Sequence, residues 1–322
     1  MIRAALAWAP ANLALVKYWG KRDAALNLPA TSSLSATLGL FGSEAKIVAA
    51  DTDVLDVQGD PGRALRVIEA ARALTGNRAP LDVVVRNTVP TAVGLASSAS
   101  SMAALALALS RALAFEDSPV QTARLARLGS GSAIRSLFGG FVEWDAGIAA
   151  DGSDCRARTA FPSAHLPLAI RVAVTAGGPK EVSSGEAMER CRRTSPSYVG
   201  FVRDNPAVLE AARSALADRD IARLGGVAEA QSMQLHEILR EASPPIDLLR
   251  PASRDVLAVV SRLRERGVPC FFTIDAGPSV AVFVDPRHGD AVGSALAAIP
   301  GVVQVLEDAV GAAGARFLEE GR

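Results

Sequence analysis

The chain has 322 residues, 34 of them basic, 34 acidic and 49% hydrophobic, so it can bury a large core and carries no net charge. That composition excludes disordered, collagen-like and disulfide-framework chains, and the length predicts about two domains of roughly 100–200 residues. Neutrality argues against a general nucleic-acid binder, whose affinity comes from neutralising many phosphates, so an anionic ligand must meet a local cluster.

In chain order, the first 50 residues alternate apolar and small polar side chains, as in Leu34-Ser35-Ala36-Thr37-Leu38, and predict strands joined by short turns. Residues 61–75 read as a helix with Leu65, Ile68, Ala71 and Leu74 on one face and Gly76 as its stop. Leu81-Asp82-Val83-Val84-Val85 reads as a strand, and the alanine- and leucine-rich run from Ser97 to Phe115 as a buried helix. Another helix starts at Ser118-Pro119, with serine as N-cap and proline in the first turn, and ends before Gly129. The stretches between 148 and 180 hold the expected domain junction, set at 1–170 and 171–322, and Leu168 to Val174 is strand-like. Amphipathic helices are expected near 198–217, 219–240 and 253–266, and strands at 268–274 and 279–284. Strands and helices mix without strict alternation, which predicts an α+β fold.

The 34 cations comprise 30 arginines and only four lysines, Lys17, Lys21, Lys46 and Lys180. Cys155, Cys191 and Cys270 are odd in number and form no C-x-x-C pair, which fits a reducing, cytoplasmic setting. No signal peptide is expected, because Pro10 and Asn12 interrupt the N-terminal apolar run. The uncharged stretch Thr88 to Ser110 contains Pro90, Gly94 and several serines, so its continuous apolar part is too short for a bilayer.

Four segments could carry chemistry. The small-residue loop Pro90-Thr91-Ala92-Val93-Gly94-Leu95-Ala96-Ser97-Ser98-Ala99 opens a helix, whose unpaired N–H groups can hold phosphate; the plainer alternative is a serine-capped core helix. Lys17 and Lys21 stand four positions apart beside Tyr18 and Trp19, on one face in either a strand or a helix, where a solvated basic face is the plainer alternative. Gly129-Ser130-Gly131-Ser132-Ala133-Ile134-Arg135 can form an anion nest with a bidentate arginine, or an ordinary glycine turn. Asp275, in Thr273-Ile274-Asp275-Ala276-Gly277-Pro278, closes an apolar strand as a base, as a hydroxyl-orienting group or simply as a turn former. His165, His236 and His288 lack metal-ligand spacing and read as structural or surface residues, and no G-x-S-x-G elbow occurs.

Taken together, the runs Ala9 to Asp23, Leu28 to Ser35, Pro90 to Ser98, Gly129 to Trp144 and Asp275 to Pro278 resemble the mevalonate diphosphate decarboxylases of the GHMP kinase superfamily over nearly the whole chain. K-Y-W-G-K-R-D and G-S-G-S-x-x-R-S-x-x-G-G-F-V-E-W are particular to the decarboxylases, whereas P-x-x-x-G-L-x-S-S-A is shared across the superfamily. The resemblance implies a two-domain GHMP fold with the cleft between domains, a homodimer, and ATP with Mg2+ as cofactors. It implies decarboxylation of (R)-5-diphosphomevalonate to isopentenyl diphosphate, with phosphorylation of the C3 hydroxyl before CO2 and phosphate leave.

By motif position, Asp275 is expected to orient or deprotonate that hydroxyl and Lys17 to link it electrostatically to the transferring phosphoryl group. Asn12 and Arg135 take the carboxylate end, and Tyr18, Lys21, Ser130 and Ser132 the diphosphate. Ser184 and Met188 belong to the substrate pocket. Pro90, Gly94, Leu95, Ala96, Ser97 and Ser98 hold the ATP phosphates, with Ser98 toward Mg2+. Gly185 and Ala187 stand where relatives usually carry threonine or arginine and glycine, and Ser279 replaces an asparagine; the phosphate contact at 185 loses its side chain. A decarboxylase of 5-phosphomevalonate, a mevalonate 3-kinase and a silent binding protein on the same fold are the alternatives. Retention of Asp275 with Lys17 disfavours the second, Tyr18 with Lys21 the first, and intact Asn12 and Arg135 the third.

Overall fold

The computed structural model describes residues 2–88, 97–175 and 182–319. The alternating start of the chain forms β1 (Ala5–Val16), a hairpin of β2 (Lys21–Asp23) and β3 (Leu28–Pro29), and the long β4 (Ser33–Ala49). β5 (Val54–Val57) leads to the Asp60 N-cap and Pro61, where α1 (Pro61–Thr75) begins, and Gly76 ends that helix at a left-handed φ of 70°. The buried face of α1 is Ala64, Val67, Ile68 and Ala71, whereas Leu65 and Leu74, expected inside, are 51% and 43% exposed. Strict three-residue spacing drifts by about 60° per step on a 3.6-residue helix, so positions 65 and 74 end on opposite sides.

β6 (Leu81–Asn87) precedes α2 (Ser97–Ala112) and α3 (Pro119–Gly129). Ser118 occupies the N-cap of α3 without a side-chain capping bond. A 3-10 turn at Gly131–Leu137 hands the chain to β7 (Phe141–Trp144), β8 (Ala157–Phe161) and β9 (Ala169–Thr175). Sequence patterning gave no sign of α4 (Ser184–Thr194), which buries only Ala187, Met188 and Cys191 and shows no long apolar stripe. The three anticipated helices follow as α5 (Tyr198–Ala217), α6 (Ile221–Glu241) and α7 (Pro251–Glu265). β10 (Cys270–Thr273) and β11 (Val280–Val284) flank the Asp275 turn, and α8 (Gly289–Ala297), β12 (Val302–Ala309) and β13 (Arg316–Phe317) complete the described chain.

One sheet runs β13-β1-β4-β6-β5, with β7 added to β4 and β8 to β7; the second runs β10-β11-β9-β12. Among the described residues only β5 and β6 pair in parallel, so the architecture is α+β rather than doubly wound. Ala5, Ala7 and Ala9 of β1 pack with Val67, Ala103, Ala104 and Leu105 of α1 and α2, where alanines allow helix and sheet to approach closely. Ala11, Leu13 and Leu15 pack instead with Leu209, Ala212 and Phe283 of the C-terminal half, and the change coincides with a register shift between Pro10 and Asn12. A third core seats α7 and α8 residues such as Val256, Val292 and Leu296 on the second sheet.

Asp308 ties the two sheets together. Its carboxylate accepts N–H bonds from Gly39, Leu40 and Phe41, where β4 leaves its regular ladder with β1. All three cysteines are buried and free of disulfide bonds. Among the described residues, no helix is long and apolar enough to cross a membrane.

Candidate active site

The end of β1 places Asn12 and Lys17 deep in the cleft. Lys17 is fully buried, and each of its three ammonium hydrogens meets an acceptor: Ala14 O at 2.9 Å, Thr273 Oγ1 at 2.7 Å and Asp275 Oδ1 at 2.8 Å. Burial pushes its pKa down while the Asp275 carboxylate opposes that shift. The aspartate is one-third exposed, so this ion pair has one dry end and one end facing the cleft. Asp275 holds Lys17 through Oδ1 and lines the cavity.

Arg135 lies on the 3-10 turn and is also fully buried. Its Nε and Nη2 donate to Asn12 Oδ1 at 3.1 and 2.9 Å, and Nη1 donates to Ser33 Oγ at 2.7 Å. Three of five guanidinium hydrogens are thereby committed, and two have no partner among the described residues. Asn12 is itself fixed, since Nδ2 donates to Ser136 Oγ at 2.8 Å. Burial lowers the arginine pKa to about 10, against the pull of Asp275, so the group stays cationic at neutral pH.

A single cavity of about 540 Å³ is lined by Asn12, Lys17, Tyr18, Lys21, Ser98, Ser130, Ser132, Arg135, Ser184, Met188 and Asp275. Of the site residues named from sequence, Pro90, Gly94, Leu95 and Ala96 lie outside the described residues, and Ser97 opens α2. Tyr18 packs edge-on against Trp144 at 4.8 Å between centroids, and its buried hydroxyl has no partner among the described residues. Burial pushes that hydroxyl well above its ordinary pKa, so it remains a donor. A Cβ at Gly131 would lie 2.7 Å from the Tyr18 oxygen, which explains why the loop beside this tyrosine carries glycine.

Sequence reading missed two cations. Arg63 and Arg66, one turn apart on α1, line the same cavity; burial first, and these two arginines after it, lower the pKa of half-buried Lys21. Among 30 arginines only their spacing of three beside the Asp60-Pro61-Gly62 helix start sets these two apart. In sequence Thr273 is only part of a strand, yet its hydroxyl accepts a hydrogen bond from Lys17 Nζ.

The described residues contain no group of three or more His, Cys, Asp or Glu side chains able to hold a metal. Asp60 and Asp275 are the carboxylates among the described lining residues, and Asp60 is engaged by the α1 backbone and Arg63. Mg2+ typically keeps waters and phosphate oxygens as ligands, so this donor set suits a cation brought with a polyphosphate, with the Ser98 hydroxyl at hand. The cavity thus joins a carboxylate held by a dry lysine, an arginine with two hydrogens uncommitted among the described residues, and an outer group of cations and hydroxyls. That arrangement can orient a hydroxyl, hold a carboxylate and neutralise phosphates.

Residues 9–157 match the diphosphomevalonate decarboxylase-like N-terminal domain, and residues 170–313 the mevalonate 5-diphosphate decarboxylase C-terminal domain. The diphosphomevalonate decarboxylase of Gibberella zeae is 35% identical over 335 residues, covering 94% of this chain and 87% of that protein. The crystal structure of mevalonate diphosphate decarboxylase from Staphylococcus aureus superposes with a TM-score of 0.92 at 34% identity, over 99% of both chains. MDDEF in complex with MVAPP, AMPPCP and magnesium gives a TM-score of 0.91 at 34% identity, over 99% of this chain and 100% of that one.

Proposed function

Because this chain belongs to the diphosphomevalonate decarboxylase family, we propose that it catalyses ATP-dependent decarboxylation of (R)-5-diphosphomevalonate to isopentenyl diphosphate, ADP, phosphate and CO2. The observation that carries the assignment of roles is the Lys17–Asp275 pair, 2.8 Å apart, in one cavity with the Arg135–Asn12 pair. ATP supplies the phosphoryl group that turns the C3 hydroxyl into a leaving group, and Mg2+ neutralises its phosphates.

Asp275 Oδ2 orients the C3 hydroxyl and takes its proton. Lys17 acts through Asp275, because all three of its hydrogens are already engaged by protein acceptors; it keeps the carboxylate ionised and fixed in direction. The two remaining hydrogens of Arg135 hold the substrate carboxylate, with Asn12 fixing the guanidinium plane. Arg135 must not hold that carboxylate too tightly, since CO2 leaves neutral and binding that persists only in the ground state slows the reaction. No covalent enzyme intermediate is needed, so positioning and charge stabilisation carry the rate.

Tyr18, Lys21, Ser130 and Ser132 take the substrate diphosphate, and Ser184 and Met188 close its pocket. Ser98 serves the ATP phosphates. Gly185 offers no side chain 4.0 Å from Lys21 Nζ, and Arg63 and Arg66 restore positive charge there, which favours the diphosphate over the monophosphate. We assign residues 1–170 and 171–322 to two domains, a homodimeric assembly and a cytoplasmic setting. The family-domain matches at 9–157 and 170–313 support that division.

Release of ADP and CO2, measured together with mevalonate, its 5-phosphate and its 5-diphosphate, tests the reading. Equal release of both from the diphosphate is the expected result. ADP without CO2 selects a 3-kinase, and inactivity on all three substrates selects a silent binding protein.

A further inference from the structure

Resting on the roles given to Asp275 and Lys17, we propose that Thr273, on a strand that Ser232 of α6 anchors at the next residue, is a positioning residue that holds the Lys17–Asp275 pair in its reactive arrangement. Among the described residues β10 is the edge of the second sheet and pairs only with β11, so its outward amides need partners other than a strand. Helix α6 provides them. Glu229 Oε1 accepts the Phe272 N–H at 3.1 Å, and Ser232 Oγ accepts the Ile274 N–H at 3.0 Å. Residues two apart on the strand thus meet residues one turn apart on the helix, and the strand is pinned one residue before Asp275. The same helix reaches the other partner, since Gln231 Oε1 accepts the Lys17 N–H at 3.2 Å.

Thr273 joins the two anchors. Its buried hydroxyl donates to Ala14 O at 2.6 Å, which commits its only hydrogen and leaves a lone pair for Lys17 Nζ at 2.7 Å. Ser232 Oγ lies 3.3 Å from that hydroxyl and donates to Ala228 O at 2.8 Å, so its own orientation is set by the helix. The charged groups facing Lys17 are Asp275 at the end of β10 and Arg135 on the 3-10 turn, with the neutral imidazole of His236 on α6. Asp275 favours the ammonium, whereas burial and Arg135 disfavour it. Removing the threonine acceptor leaves a buried N–H unpaired, which makes the ammonium easier to deprotonate. A neutral lysine no longer fixes Asp275.

Thr273→Val keeps the volume and deletes the acceptor; Thr273→Ser keeps the acceptor. The valine variant should lose about 10- to 100-fold in kcat, the range for a hydrogen bond to a charged group, with KM for ATP and 5-diphosphomevalonate within about threefold. Because activity needs charged Lys17, it falls as pH rises through that group's pKa, and the alkaline limb of the kcat profile should move down by about one to two pH units. The serine variant should restore the limb and most of the rate. Ser232→Ala, which puts no methyl beside Lys17, should shift the limb the same way but less, and it decides the matter if the valine variant does not fold. A slower enzyme with an unmoved limb, or a serine variant that behaves like valine, overturns the proposal. Asp275→Asn run alongside separates the two readings. Normal turnover there removes the Asp275 role itself, whereas an inactive Asp275→Asn with a wild-type limb in the Thr273 and Ser232 variants removes only the positioning role.

Discussion

The cleft holds two groups of cations that differ in how their hydrogens are spent. Lys17 and Arg135 are fully buried and largely satisfied by Ala14, Thr273, Asp275, Asn12 and Ser33. Lys21 and Arg66 are more open and have no ion-pair partner among the described residues, while Arg63 is held only by Asp60 of its own helix start. A dry, satisfied cation cannot easily trade a protein acceptor for a ligand, so the first group works by holding other groups in place. An open cation gives up only water, so the second group suits polyphosphates that must enter and leave. One chain thus separates pre-organisation from affinity by burial alone.

The sharpest break of this contrast is Asp275→Asn. It should cut turnover by about a thousand-fold or more, in the upper range for a lost general base, while ATP and substrate still bind. Calorimetric binding with single-turnover CO2 release checks this, and near-normal release would remove Asp275 from the chemistry. Arg135→Ala should cost about 100-fold in kcat, comparable to the loss of one strong charge-stabilising donor. A mild effect would mean that another group holds the carboxylate.

Lys21→Ala, from the open group, should act differently. KM for 5-diphosphomevalonate should rise by about tenfold, with kcat within about twofold and the increase growing smaller at high salt. Steady-state kinetics at two ionic strengths reads this, and a change confined to kcat would erase the distinction between the groups.

The smallest effect concerns stability. His236, buried beside Lys17 on α6, has its pKa pushed down from an ordinary 6.5 to about 4 by burial first and Lys17 second. The unfolded chain therefore binds a proton that the folded one refuses. Stability present above about pH 6.5 is lost as pH falls toward 4, by up to about 3 kcal/mol. Urea melts at pH 7 and pH 4.5 should show the loss, and His236→Gln should flatten it.

Much of this was legible in the chain itself. Asn12, Lys17, Tyr18, Lys21, Ser130, Ser132, Arg135 and Asp275 sit in short runs whose residue types and order carry the family pattern, and these residues line one cavity. The long helices could be read because each keeps a 3.6-residue apolar period over several turns. α4 could not, because a helix that buries only three residues leaves no stripe to read. On α1 the leucines misled, since packing selected the alanines and valine that fit against α2.

The sequence by itself determined the fold class, the family and the residues within each motif, because those depend on local periodicity and on contiguous side chains. Only the tertiary structure decided the division between satisfied and open cations. It brought Arg63 and Arg66 of α1 beside Lys21, and Thr273 of β10 under Lys17, across separations of dozens to hundreds of residues. Burial and hydrogen-bond satisfaction are properties of what the folded chain packs together, so Lys17 and Lys21, which composition counts alike, acquire different chemistry from their surroundings.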